Sequence, residues 1–185
     1  MKIPKNAKKV FTGEIFDIYQ WPQKLFNGST ATFEMIKRPD TVQIIATEGN
    51  KIITVKEIQP NQKREIGLLG GRVDKGEKPL EAAKRELMEE AGMVAKQWQL
   101  LKIYRPIHKM EWDIYYYIAR DCQKVAKQNL DGGEKITLIK KTFDQFIKDI
   151  ISAPNLVSPF ICDILKIKLD SKKAINEFKK QIFEK

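Results

Sequence analysis

The chain is poor in the residues that build thiolate and histidine sites. It has two cysteines, Cys122 and Cys162, and one histidine, His108, in 185 residues. With no C-x-x-C spacing and no histidine-rich neighbourhood, neither zinc nor a disulfide framework is indicated, and two buried free thiols are expected. His108 has no cysteine near it with which to form a triad, so it is read as an exposed loop residue without a catalytic role. Long apolar runs are missing too, and none approaches the roughly 18 residues that a membrane span needs. Met1-Lys2-Ile3-Pro4-Lys5 carries positive charge with no apolar stretch behind it, which argues against a signal or an anchor. The expectation is a cytoplasmic protein that does not engage a membrane.

What is present is an ordinary soluble composition, 42% hydrophobic and 31% charged, at a length that suits one domain with terminal additions. The net charge of +10 attracts polyanions. Its lysines are spread (Lys8-Lys9, Lys140-Lys141, Lys172-Lys173, Lys179-Lys180), which describes a solvated surface better than a nucleic-acid patch.

Patterning divides the chain into strands of a first hairpin (Lys9 to Tyr19 and Thr30 to Lys37, around Phe26-Asn27-Gly28-Ser29) and a second (Thr41 to Thr47 and Ile52 to Ile58). Four glycines lie between Gly67 and Gly76, and Pro79 to Ala91, with proline in its first turn and Gly92 behind it, is predicted as a helix. Strands resume at Gln99 to Tyr104, Asp113 to Ala119 and Lys135 to Ile139. Thr142 to Ile151 has helical apolar spacing, and Ser158-Pro159 and Ser171 suggest two further helix starts. Hairpin strands with few helices predict an α+β architecture with a mixed sheet. The expected organisation is N-terminal strands over 1–40, a core over 41–152 and C-terminal helices over 153–185, with apolar Ile164, Leu165, Ile167, Leu169, Ile175, Phe178 and Ile182 packing on the core or on a partner subunit.

Chemistry concentrates between Gly71 and Met93. On the predicted helix Glu86 and Glu90 stand one above the other with Glu89 beside them, so three carboxylates share one face. Leu80, Ala83, Leu87 and Ala91 form a separate apolar stripe that would pin the helix to a sheet. Like charges at that spacing repel, and hard oxygen donors in a cluster suit Mg²⁺ or Mn²⁺, which in turn suit phosphate. Arg85, eight positions after Glu77, is placed to hold Glu77 and steer the carboxylates, and the preceding glycines let backbone approach metal and phosphate closely. An isolated E-x-x-E-E on a helix would be read as a solvated, salt-bridged face.

Here the pattern is not isolated. Gly71, Glu77, Arg85, Glu86, Leu87, Glu89, Glu90, Gly92 and Met93 occupy every fixed position of G-x5-E-x7-R-E-U-x-E-E-x-G-U, where U is a bulky aliphatic residue. The stretch resembles the box of the Nudix hydrolases. The resemblance implies an α/β/α sandwich with a mixed sheet, and hydrolysis of a diphosphate linkage in a nucleoside diphosphate derivative with a divalent metal, usually Mg²⁺. It implies Glu86 and Glu90 as metal ligands, Glu89 as a further ligand or a base through bound water, Glu77 and Arg85 as an orienting pair, and Gly70 as a backbone carbonyl ligand. The expected chemistry is attack of activated water on phosphorus, with no covalent intermediate. Relatives with ADP-sugar activity often place a glutamate on a loop beyond the box, which makes Glu134, after Gly132-Gly133, the candidate general base.

Phe11-Thr12-Gly13-Glu14-Ile15-Phe16 and Phe33 to Val42 resemble the ADP-ribose and ADP-sugar pyrophosphatases, whose early strands commonly help form a homodimer. Where that group often reads Gln-Tyr-Arg-Pro, this chain reads Glu57-Ile58-Gln59-Pro60, so an arginine expected near the substrate phosphates is absent. Arg38, Lys56, Arg64, Arg72 and Arg105 are candidates for phosphate contacts, and Trp112 or Tyr104 for stacking on a base. The alternatives are action on RNA 5′ ends or diphosphoinositol polyphosphates, or a nucleotide-sensing regulator without turnover.

Overall fold

Alternating apolar residues make one strand feed two cores. In β4 (Thr41–Glu48), Val42, Ile44 and Ala46 join one buried cluster and Ile45 joins the other. A computed structural model describes residues 2–60, 62–152 and 172–184, with the backbone alone described at 62–65 and 150–152. In chain order the other elements are β1 (Lys8–Thr12), β2 (Asp17–Lys24), β3 (Thr30–Lys37), β5 (Lys51–Gln59), β6 (Gln62–Gly67), α1 (Pro79–Ala91), β7 (Met93–Val94) and β8 (Gln97–Tyr104). They continue with β9 (Met110–Glu111), β10 (Ile114–Arg120), β11 (Gln123–Lys124), β12 (Lys135–Lys141), α2 (Phe143–Ser152) and α3 (Lys172–Phe183).

The central sheet runs β12-β5-β4-β10-β8, with β6 added on β5. It is mixed: β10 lies parallel to β4, and the other pairs are antiparallel. One face takes α1, whose Ala82, Ala83, Leu87 and Ala91 pack with Val42, Ile44, Ile53 and Val55. The opposite face takes α2 and α3, whose Phe143, Phe146, Phe178 and Ile182 pack with Ile45, Ile52, Tyr116 and Ile118. This is the α/β/α sandwich and α+β class expected of the chain. The N-terminal strands make a second sheet, β1-β2-β3-β9.

The start and stop of α1 follow its sequence. Pro79 opens it, where an unpaired N–H is not missed, and Gly92 closes it in the left-handed region at φ 63°. A Cβ on Gly92 would meet the Ala126 carbonyl oxygen at 2.2 Å, so glycine is required on two counts. α2 begins with a reciprocal cap: Gln145 N–H donates to Thr142 Oγ1 at 3.2 Å, and Thr142 N–H donates to Gln145 Oε1 at 2.9 Å. Buried Arg120 ties α3 to the sheet by donating to the carbonyls of Gln181 and Ile182 and to Gln99 Oε1.

Two expectations change. Lys9 to Tyr19 is not one strand, because a turn at Gly13, whose N–H donates to the Phe16 carbonyl at 2.9 Å, splits it into β1 and β2. The two-residue strands β7, β9 and β11 are too short to show a pattern, and neither they nor β6 were anticipated. Ser158, Ser171, Ile164, Leu165, Ile167, Leu169 and Cys162 lie outside the described residues, whereas Ile175, Phe178 and Ile182 sit in or against the α2–α3 core. Cys122 is buried and free.

Leu87 is fully buried between α1 and the sheet. Leu87→Ala is expected to cost about 2–5 kcal/mol in urea unfolding; a loss below about 1 kcal/mol would mean α1 is not pinned to the sheet through this side chain.

Candidate functional site

The loop between β6 and α1 is laid along β4 as an irregular extra strand. Ile44 N–H donates to the Leu69 carbonyl at 2.8 Å and Val42 N–H to the Gly71 carbonyl at 2.9 Å. Gly70 sits at φ 142°, and a Cβ there would lie 2.1 Å from the Val42 carbonyl oxygen. A Cβ on Gly71 would lie 2.3 Å from Glu86 Oε1, so the second glycine leaves room for a carboxylate. The loop is thus fixed by sheet bonds on one side and opened toward α1 on the other.

Arg85 organises the carboxylates. Its Nε donates to Glu77 Oε1 at 3.1 Å and its Nη2 to Glu77 Oε2 at 3.2 Å, while Nη1 is shared between Glu86 Oε1 and Glu89 Oε2, both at 2.9 Å. Nη2 also donates to the Arg72 carbonyl at 2.8 Å, tying helix to loop. Glu77 in turn accepts from the Asp74 N–H at 3.0 Å. Hydrogen bonding to Arg85 holds the Glu77 carboxyl below its ordinary range, and the same contacts raise the pKa of Arg85.

Glu90 points inward. It is 7% exposed, and its Oε2 accepts from the Gly70 N–H at 2.7 Å. Burial pushes its carboxyl up to about 9, against the Gly70 bond and with help from the charges of Glu86, Glu134 and Glu57. Burial likewise pushes Glu86 up to about 7, a shift that the Arg85 contact opposes and the charges of Glu89 and Glu134 reinforce. Both groups therefore lack enough positive charge in the chain alone.

This donor set fits a hard divalent cation: carboxylate oxygens only, two of them under-compensated, beside a glycine that leaves space against Glu86. Among the described residues, no three acidic, histidine or cysteine side chains surround a common point as they stand. The Arg85 Nη1 group holds the place shared by Glu86 and Glu89.

Glu134 comes from the segment before β12. That segment is anchored to α1: Gln128 Nε2 donates to the Glu90 carbonyl at 2.6 Å and the Asn129 N–H to the Glu89 carbonyl at 2.8 Å. Burial first, then the charges of Glu57, Asp131 and Glu89, raise the Glu134 pKa. Glu57 and Gln59 at the end of β5 belong to the same neighbourhood, since Gln59 bonds both Glu57 and Glu134. Sequence reading missed them as site residues. Their signal is the strand pairing of β5 with β12, which joins residues some 75 positions apart.

The basic candidates divide. The Arg38 guanidinium lies over the Trp112 ring at 4.4 Å and near Phe16 at 5.8 Å, with its buried Nε unpartnered. Burial and the nearby charge of Arg72 lower its pKa. Trp112 is fixed by donating Nε1–H to Thr41 Oγ1 at 3.1 Å, and Thr41 bridges Arg72, so Arg38, Arg72 and Trp112 share the rim of the box loop. Arg105 is instead held by Asp113 through two bonds of 2.7 Å. The Arg64 side chain lies outside the described residues. His108 is exposed, as read.

The NUDIX domain model matches residues 37–146, more than half of the chain, and the chain belongs to the NUDIX family. It is a pyrophosphohydrolase that acts on phosphoanhydride bonds and resembles the ADP-ribose pyrophosphatase branch. It is 28% identical over 145 residues to an ADP-ribose pyrophosphatase of Bacillus subtilis (strain 168), covering 76% of this chain and 78% of the relative. It is 32% identical over 153 residues to a methanol dehydrogenase activator of Bacillus methanolicus, covering 78% and 82%. A crystal structure of an ADP compounds hydrolase has the same fold, with a TM-score of 0.67, 23% identity and coverage of 81% and 82%. Nudix enzymes generally use divalent metal ions.

Glu86 and Glu90 keep their protons to higher pH in the fold than at the ordinary carboxylate value of 4.5. The stability that the neutral forms contribute is complete below 4.5 and is lost as pH rises through about 7 and about 9. Metal-free protein is therefore expected to melt at lower temperature at about pH 8.5 than at about pH 5.5, with Glu90→Gln flattening the slope. A Glu90→Gln profile as steep as the wild type would refute this assignment.

Proposed function

We propose that the protein hydrolyses the diphosphate of an ADP-ribose or nucleotide-sugar type substrate, using Mg²⁺ with Mn²⁺ as a substitute. The observation that carries this reading is the Arg85-centred set of Glu77, Glu86 and Glu89, with Glu90 fixed by the loop at Gly70. The names of the Bacillus subtilis relative and of the ADP compounds hydrolase support the substrate class.

Glu86, Glu89, Glu90 and the Gly70 carbonyl would hold the metal. The bound ion supplies neutralisation of the diphosphate charge and activation of water for attack on phosphorus. Glu77 and Arg85 keep the ligands oriented. Glu134, whose carboxyl burial pushes up, takes the proton of the attacking water. Arg38 and Arg72 offer positive charge to the distal phosphate, and the Arg38–Trp112 stack offers a flat surface to the base or sugar. The exposed Val10 and Phe11 of β1, with Phe16 in the turn that follows, support a homodimer through the N-terminal sheet. A cytoplasmic location suits a nucleotide substrate.

Product chromatography with Mg²⁺ or Mn²⁺ across ADP-ribose, ADP-glucose, GDP-mannose, NADH, diadenosine polyphosphates, nucleoside triphosphates and triphosphorylated RNA tests the proposal. Wild-type protein is expected to release AMP from an ADP-linked compound, and Glu90→Gln to release little or none. Hydrolysis confined to RNA, or ligand-induced stabilisation with no turnover at all, would overturn it in favour of an RNA-end hydrolase or a sensor.

A further inference from the structure

The ends of β5 and β12 carry a cluster that the box does not contain. Glu57 and Gln59, two residues apart on β5, project from one face of the sheet. In the antiparallel register Ile136 faces Glu57 and Lys135 faces Ile58, which sets Glu134 across from Gln59. The Gln59 Nε2 donates to Glu57 Oε1 at 2.6 Å and to Glu134 Oε1 at 3.4 Å. Carboxylates only accept, so the nitrogen of this amide rather than its oxygen must face them, and its two N–H groups match two acceptors.

Glu134 needs such a tether. Gly132 and Gly133 precede it, and an added Cβ at either would meet open space, so the segment is not held by packing there. Before the glycines the chain is anchored at Gln128 and Asn129, through the carbonyls of α1, and by Leu130 against the sheet core, and just after Glu134 it joins β12, where Lys135 pairs with Ile58. The local contact to Glu134 is its own N–H donating to the Asp131 carbonyl at 2.9 Å. Acidic groups act on Glu134 from three elements: Glu57 on β5, Asp131 on its own segment, and Glu86, Glu89 and Glu90 on α1. Repulsion alone would drive the side chain outward.

We infer that Gln59 is a positioning residue for hydrolysis: its neutral amide holds Glu134 beside Glu57 and in front of the box glutamates without cancelling the charge of either. The inference rests on reading Glu134 as the base. An arginine at this position, as the resembling group often has, would pair with both carboxylates and lower their pKa values, making each a weaker base. A neutral donor gives the same geometric hold and leaves Glu134 a stronger base.

The test compares wild type, Gln59→Leu, Gln59→Arg and Glu134→Gln in steady-state hydrolysis across about pH 5.5 to 9. It uses Mg²⁺ and ADP-ribose, or the screened compound turned over fastest. Gln59→Leu is expected to lower kcat about tenfold with KM within about twofold. That loss in kcat at near-constant KM is the readout that a merely structural role would not give, and Gln59→Arg, by placing a cation beside Glu134, should move the acidic limb of the kcat profile to lower pH. Glu134→Gln should lower kcat by about 100-fold or more. If Glu134→Gln is impaired but Gln59→Leu keeps the wild-type kcat, the positioning role is overturned and the base assignment stands. If Glu134→Gln keeps full activity, the base assignment fails and the positioning role fails with it. Should Gln59→Leu melt early, Gln59→Met, which keeps the length of the side chain without the amide, takes its place.

Discussion

The fivefold grip of Arg85 is the interaction on which the rest of the site depends. A guanidinium has five N–H donors, and five hydrogen bonds leave Arg85: two to Glu77, one each to Glu86 and Glu89, and one to the Arg72 carbonyl. Three carboxylates and a loop are thereby fixed by one rigid, planar group. Lysine, a point charge with three donors on a flexible stem, has no equivalent geometry. The helix face tolerates its crowded glutamates because this cation is held among them.

Arg85 does not reach Glu90, which is satisfied from the other direction by the Gly70 N–H. That bond is available because the loop runs along β4 and because Gly70 takes a φ of 142° where a side chain would strike the Val42 carbonyl. Sheet, glycine loop and helix therefore converge on one buried carboxyl. Burial raises the pKa of Glu90 more than one backbone hydrogen bond lowers it, and Glu86 shows the same imbalance. A fold that retains two such groups carries a standing cost, which a divalent cation would remove.

Much of this was legible in the sequence because the relevant contacts are local. The 3.6-residue period places Glu86, Glu89 and Glu90 on one face, Pro79 and Gly92 mark the ends of α1, and Arg85 and Glu77 lie eight residues apart. The alternation within β4 and β5 revealed strands but not their neighbours, since the parallel pairing of β4 with β10 and the pairing of β5 with β12 join distant segments. Glu57 and Gln59 were therefore read only as a missing Gln-Tyr-Arg-Pro. Arg105 and Arg38 looked alike as free arginines, yet Asp113 engages the first while the second is stacked on Trp112 with a buried, unpartnered nitrogen. The break at Gly13 was hidden because β1 and the first residues of β2 are β-branched or aromatic enough to read as one run.

The central claim is the proposed binding of a divalent cation by Glu86 and Glu90, whose carboxyls burial pushes up. Calorimetric titration with Mn²⁺ near neutral pH, repeated in buffers of different ionisation enthalpy, measures the protons released on binding. The account predicts proton release on binding to the wild type and a smaller release, with weaker binding, for Glu90→Gln. Binding without proton release, or binding unchanged by Glu90→Gln, would contradict it.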